Sequence, residues 1–274
     1  MYYPKIRNTI FVTVTLFIVT VLTSAILYGI NHVLQSESLT SYLLLIVNSF
    51  SFVLVTSYAL NRSKIRIDEL AVFNKTSIQF FGTALFLTFS IHIVGVLLSG
   101  LVFRNNEFSQ NFVKSVEKSL PATADTTYFL TLFVAPFTEE FFFRGFILAG
   151  LLRNYSAKVA ILTSAILFAL IHINPSQMIG ALLIGLFIGY VFYKTKNIFY
   201  AMAMHSFYNG LLYILPYLIY EFKLHEDKIH FEIGWYYIDL IDISGMLILF
   251  IFIPIFLKLS KRLTVNEAKS DLFS

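Results

Sequence analysis

Eight apolar runs, each near the roughly 20 residues a helix needs to cross a hydrocarbon core of about 30 Å, limit what this chain can fold into. They fall at about residues 9–30, 41–60, 78–101, 127–152, 157–173, 177–193, 197–216 and 240–257. Backbone polar groups inside lipid must be satisfied internally, so runs of this kind fold as helices. Composition agrees: 57% of the 274 residues are hydrophobic, 13% are charged and mean hydropathy is +0.75, beyond a soluble domain. The expected fold is an all-α, polytopic bundle of about eight transmembrane helices, one domain over 1–274.

The fifth and sixth runs are short and joined only by Asn174-Pro175-Ser176, so their hairpin is expected to stop before the far surface. The first run follows Lys5 and Arg7. At about 22 residues it is long for a signal-peptide core and reads as a retained helix. Sorting the loops alternately puts Lys5, Arg7, Arg62, Lys64, Arg66, Lys75, Arg153, Lys158, Lys194, Lys196, Lys258, Lys261, Arg262 and Lys269 on one side. Arg104, Lys114, Lys118, Lys223 and Lys228 fall on the other, and Arg144 lies inside a run. Lys and Arg collect on the cytoplasmic side, so both termini are expected there. Two longer outer loops, about 102–126 and 217–239, are expected to be partly helical.

Thirty Phe and sixteen Tyr suit lipid-facing surfaces and interfacial belts. With no cysteine, a disulfide, a thiolate metal site and a cysteine nucleophile are all excluded. The net charge of +4 is accounted for by the cytoplasmic loops, so nucleic acid is not an expected partner; membrane lipids are.

Against that background the ionisable residues inside the runs stand out. A charge near the bilayer centre costs from about 3 kcal/mol upward and usually serves function. Thr138-Glu139-Glu140-Phe141-Phe142-Phe143-Arg144-Gly145 holds two acids and a guanidinium. On a helix Glu140 and Arg144 are i and i+4 with the acid first, the favourable order for a pair. Glu139 lies about 100° round from Glu140 and is left over. The division of labour this suggests is Glu140 with Arg144 for structure and Glu139 for chemistry.

Four further polar residues lie in the runs. His92 has no acid or amide at helical spacing and reads as a buried, hydrogen-bonded histidine. His172 follows Phe168 by four, just before the Asn174-Pro175 break, and His205 with Asn209 lines one face of the seventh run. Asp242 sits near an edge. If the turn between the fourth and fifth helices is near Asn154–Ser156, Glu139 and His172 are both about 22–24 Å from it, level across a hairpin. A carboxylate beside an imidazole suits water activation. His205 is at that depth only if the hairpin projects about 10 Å into the cytosol.

Glu139-Glu140-x-x-x-Arg144, Phe168-x-x-x-His172 and His205-x-x-x-Asn209, in this order on successive apolar helices, resemble the motifs of the CPBP family of intramembrane proteases. That family includes CAAX prenyl endopeptidases and bacterial Abi and bacteriocin-processing relatives. The resemblance covers about residues 120–215, the expected catalytic core. It implies that Glu139 and His172 hold and deprotonate the attacking water and that His205 and Asn209 donate to the oxyanion. Glu140, Arg144 and Phe168 would support the site. The family is often labelled metalloprotease, and zinc on Glu139, His172 and His205 is possible. Water activated by glutamate needs no metal, no His-Glu-x-x-His is present, and metal-free chemistry is the expectation. The implied substrate is a peptide or lipid-modified protein segment, prenylated or a bacteriocin or signal peptide, and the implied place is the cell membrane of a prokaryote. The competing readings are a catalytically silent scaffold or immunity protein of the same family and, further off, a transporter. Transport would call for broken polar helices in both halves, and the first half has none.

Overall fold

The computed structural model describes residues 2–34, 37–70, 78–103, 128–221, 231–233, 236–238 and 240–263. These form α1 (Ile6–Leu34), α2 (Glu37–Ser63), the short α3 (Ile67–Leu70), α4 (Ile78–Phe103), a composite α5 over residues 130–151, α6 (Ala157–Leu170), α7 (Pro175–Thr195), α8 (Ile198–Glu221) and α9 (Leu240–Arg262). The fold is mostly helical. One departure from the all-α expectation is the hairpin β1 (Phe231–Ile233) and β2 (Tyr236–Ile238), antiparallel with Phe231 opposite Ile238. It lies in the second outer loop, where partial helicity was expected. The first outer loop falls almost wholly outside the described residues, and the side chain of Asp242 does too.

Among the described residues, five helical stretches are long and apolar enough to cross a membrane: Ile6–Leu27, Ile78–Phe103, Pro175–Thr195, Ile198–Leu215 and Ile243–Arg262. The protein is therefore an integral membrane protein. Its outer surface carries Phe11, Phe50, Phe133 and Phe250 at 60% exposure or more, as a lipid-facing surface should. α6 is shorter than its run, at 14 residues, and α7 is longer, at 21. Pro175 opens α7 at a position that needs no backbone N–H, and the Asn174 side chain accepts from Ser176 N.

The core is apolar and aromatic, built by α2, α5, α6, α7 and α8 with α4 and α9 flanking. α9 runs through Pro254 without breaking and stacks Phe256 on Phe80, 5.0 Å between rings, and Phe252 on Phe86, 4.7 Å. α7 packs closely because it carries glycines: a Cβ on Gly185 would come within 3.4 Å of the Ala165 Cα on α6. At the end bearing the α5–α6 turn, Arg153 donates to Ser63 O at 2.8 Å and to Glu69 Oε2 at 3.3 Å. Asn154 Nδ2 donates to Tyr2 O and Pro4 O, and its Oδ1 accepts from Tyr2 N. The turn that sets the register of α5 against α6 is thus pinned from two sides.

α5 is not a regular helix. Leu130–Val134 and Phe141–Leu148 are π-helical, separated by the α-helical Ala135–Glu140 and followed by Ala149–Leu151. Pro136 accounts for the first irregularity, since it has no N–H and its ring would collide with the carbonyl of Leu132 in an α-helix. Widening the turn avoids that collision, and Ala135 N–H bonds Leu130 O, five residues back.

Candidate active site

The acids sit in the α-helical turn between the two π segments, and adjacency sends them to different places. Glu140 is fully buried. Its Oε1 accepts from Arg144 Nη1 at 2.9 Å and bonds His205 Nδ1 at 2.8 Å. Arg144 is also fully buried; its Nη2 donates to Gly185 O at 3.2 Å and its guanidinium lies 4.7 Å over the Phe168 ring. A buried carboxylate needs this much, because an unpaired charge there would cost several kcal/mol. Glu139 is left with 17% of its side chain exposed, and its Oε2 is 3.9 Å from His205 Nε2. That oxygen is itself buried and has no hydrogen-bond partner among the described residues.

Phe168 is the hub beneath these groups. It is buried and meets His172 edge-on at 4.9 Å, His205 at 5.5 Å and Phe143 at 5.1 Å. His172 stands at the end of α6, and its Nδ1 is bonded to Phe168 O at 2.8 Å. Nδ1 can only donate to a carbonyl, so the neutral ring presents Nε2 as an acceptor. The chain leaves α6 abruptly: Ile173 adopts φ of +44°, unusual for a β-branched residue, and Asn174 N–H turns back to His172 O. Strain of this kind collects where function over-determines the backbone.

Asn209, one turn beyond His205 on α8, donates through Nδ2 to Thr131 O at 3.0 Å. In the second π segment the matching event is Ser164 Oγ donating to Phe143 O at 2.9 Å. Residues 122–211, which contain α5 through most of α8, match the family model described as Type II CAAX prenyl endopeptidase Rce1-like. This segment is similar to the Rce1-like family. It is the family of proteases that the three motifs resemble, and the match spans all seven motif residues. No curated protein and no solved structure matches the chain.

Within the Rce1-like segment the structure joins Glu139, Glu140, Arg144, Phe168, His172 and His205 into one connected set, and sets Asn209 one turn along the same helix face. His205 reaches the acids, with its Nδ1 at 2.8 Å from Glu140 Oε1. His172 enters differently from the expectation: among the described residues no hydrogen bond or ion pair joins it to Glu139, and Phe168 links it to the rest. Among the described residues no three His, Cys, Asp or Glu side chains are grouped so as to hold a metal ion. Outside the segment, His92 is buried as expected and lies edge-on to Tyr208 at 5.0 Å. Its Nδ1 is buried and has no hydrogen-bond partner among the described residues, where a hydrogen bond was expected.

Sequence reasoning missed three participants. The Glu140–His205 bond was hidden because sixty-five residues separate the partners. Gly185 and Thr131 act through backbone carbonyls, for which a sequence has no letter. Pro136 was the one visible signal for Thr131.

Proposed function

We propose that this protein is an intramembrane endopeptidase of the CAAX prenyl type, hydrolysing a peptide bond in a lipid-modified or membrane-associated segment. Glu139 and His172 hold a water and Glu139 takes its proton. The hydroxide adds to the scissile carbonyl, and His205 with Asn209 donates to the oxyanion. The proton on Glu139 then passes to the leaving amine. Each oxyanion donor of this kind is worth about 3–4 kcal/mol of barrier. Glu140 accepts a hydrogen bond from Nδ1–H of His205, and Nε2 donates to the oxyanion when the ring carries both hydrogens. Arg144 pairs with Glu140 at 2.9 Å and holds it in place for that task, and Phe168 supports both rings.

The observation that carries the reading is the unequal environment of adjacent acids: Glu140 closed between Arg144 and His205, Glu139 partly exposed and facing His205 Nε2. A purely structural ion network would close both. The test uses purified protein in proteoliposomes with a farnesylated peptide ending in a CAAX sequence, reading release of the C-terminal tripeptide. Wild type cleaves, and Glu139→Gln and His172→Ala do not. Cleavage by Glu139→Gln at the wild-type rate overturns the reading in favour of a silent scaffold.

A further inference from the structure

The carbonyl of Thr131 has no donor in the π register for a reason written in the sequence. In the π register that ties Ala135 N–H to Leu130 O, the next donor, for Thr131 O, would be the nitrogen of Pro136. Proline has no hydrogen to give. Ala135, the donor an α-helix would use, is already committed to Leu130. Inside a membrane an unpaired carbonyl must find another donor, and here it is the amide of Asn209, at 3.0 Å from a different helix. An amide has two hydrogens. Spending one on Thr131 O fixes the plane of the group and so fixes where the second points.

We propose that Pro136 is a positioning residue for the oxyanion donor: by withholding its N–H it reserves Thr131 O as the anchor that orients the Asn209 amide. The same anchor registers α5 against α8, and with it Glu139 against His205. Pro136 touches no reacting atom and acts through Asn209. The inference rests on the reading of Asn209 as an oxyanion donor, but the anchor itself is a statement about hydrogen bonding that can be measured without substrate.

The experiment is a double-mutant cycle on Pro136→Ala and Asn209→Ala in the full-length protein, read in two ways. Alanine at 136 supplies the missing N–H, freeing Thr131 O from its need for Asn209. In detergent, Asn209→Ala lowers Tm in the wild-type background and changes it little in the Pro136→Ala background; additive shifts overturn the anchor. With the farnesylated peptide, Pro136→Ala lowers kcat about tenfold at unchanged KM and has no further effect on Asn209→Ala. Unchanged kcat in Pro136→Ala overturns the positioning role even if the Tm values are coupled. Asn209→Leu, which keeps the volume and removes the donor, replaces Asn209→Ala if that variant does not fold. Failure of the hydrolase reading appears separately, as full turnover in Glu139→Gln, and leaves the Tm cycle untouched.

Discussion

Two neighbouring glutamates make opposite predictions. Glu139 contributes little to folding, because its partly exposed carboxylate accepts no hydrogen bond from the described residues at its buried Oε2. Glu139→Gln should therefore keep Tm within a few degrees while turnover falls by about 100-fold or more, the scale of a lost general base. Glu140→Gln should do the reverse first. It leaves Arg144 buried beside a neutral amide, and breaking a buried pair costs about 3–5 kcal/mol, which thermal unfolding in detergent would register as a large loss. Replacing both, Glu140→Met with Arg144→Met, should recover much of that stability yet no activity, since His205 would lose the acceptor on Nδ1. The sequence made the first half of this legible: i, i+4 spacing paired Glu140 with Arg144 and left Glu139 spare. The second half was not, because a bond from Glu140 to His205 depends on how α5 and α8 are apposed, and no local pattern encodes that.

At the scale of elements, each of the eight apolar runs overlaps a helix among the described residues, and five of those helices are long and apolar enough to cross a membrane. Hydropathy could not see that α5 would be π-helical on both sides of its acids, which required following the missing hydrogen of Pro136 and the side-chain donors from α6 and α8. Close helix approaches were equally invisible. Gly245 on α9 faces Ile93 on α4 so closely that a Cβ would lie 2.7 Å from the Ile93 Cβ. Gly245→Ala should destabilise by about 1–3 kcal/mol, measurable as a lower midpoint in denaturant. The α7–α8 junction gives the opposite sign. Lys196 closes α7 in the left-handed conformation, φ of 52°, with its N–H on Phe192 O, where glycine is the unstrained choice. Burial also lowers its amino group to about 8. A lysine whose folded value lies below its unfolded 10.5 makes stability rise with pH between about 8 and 10.5, because the unfolded chain binds the extra proton there. Lys196→Gly should raise stability by about 1 kcal/mol and remove that slope, as thermal melts across the interval would show.

For the whole molecule, the distribution of Lys and Arg proposes an orientation with both ends of the chain in the cytoplasm. The absence of cysteine makes this easy to test, since any single substitution gives a unique label. Tyr2→Cys and Lys261→Cys should react with a membrane-impermeant maleimide from the cytoplasmic face, and Asn106→Cys from the opposite face; a reversed pattern would invert the bundle. That orientation places the turn bearing Arg153 and Asn154, pinned to α2, α3 and the N-terminal segment, on the cytoplasmic side. The acids then lie about 20 Å above it along α5, within the membrane. The central claim is that Glu139 hydrolyses peptide bonds there, and it can be tested without guessing the substrate. Peptide termini in the host membrane proteome are compared between cells carrying wild type and cells carrying Glu139→Gln at equal abundance. The account predicts a defined set of cleaved termini, present with wild type and lost with Glu139→Gln; identical sets in the two strains would contradict it.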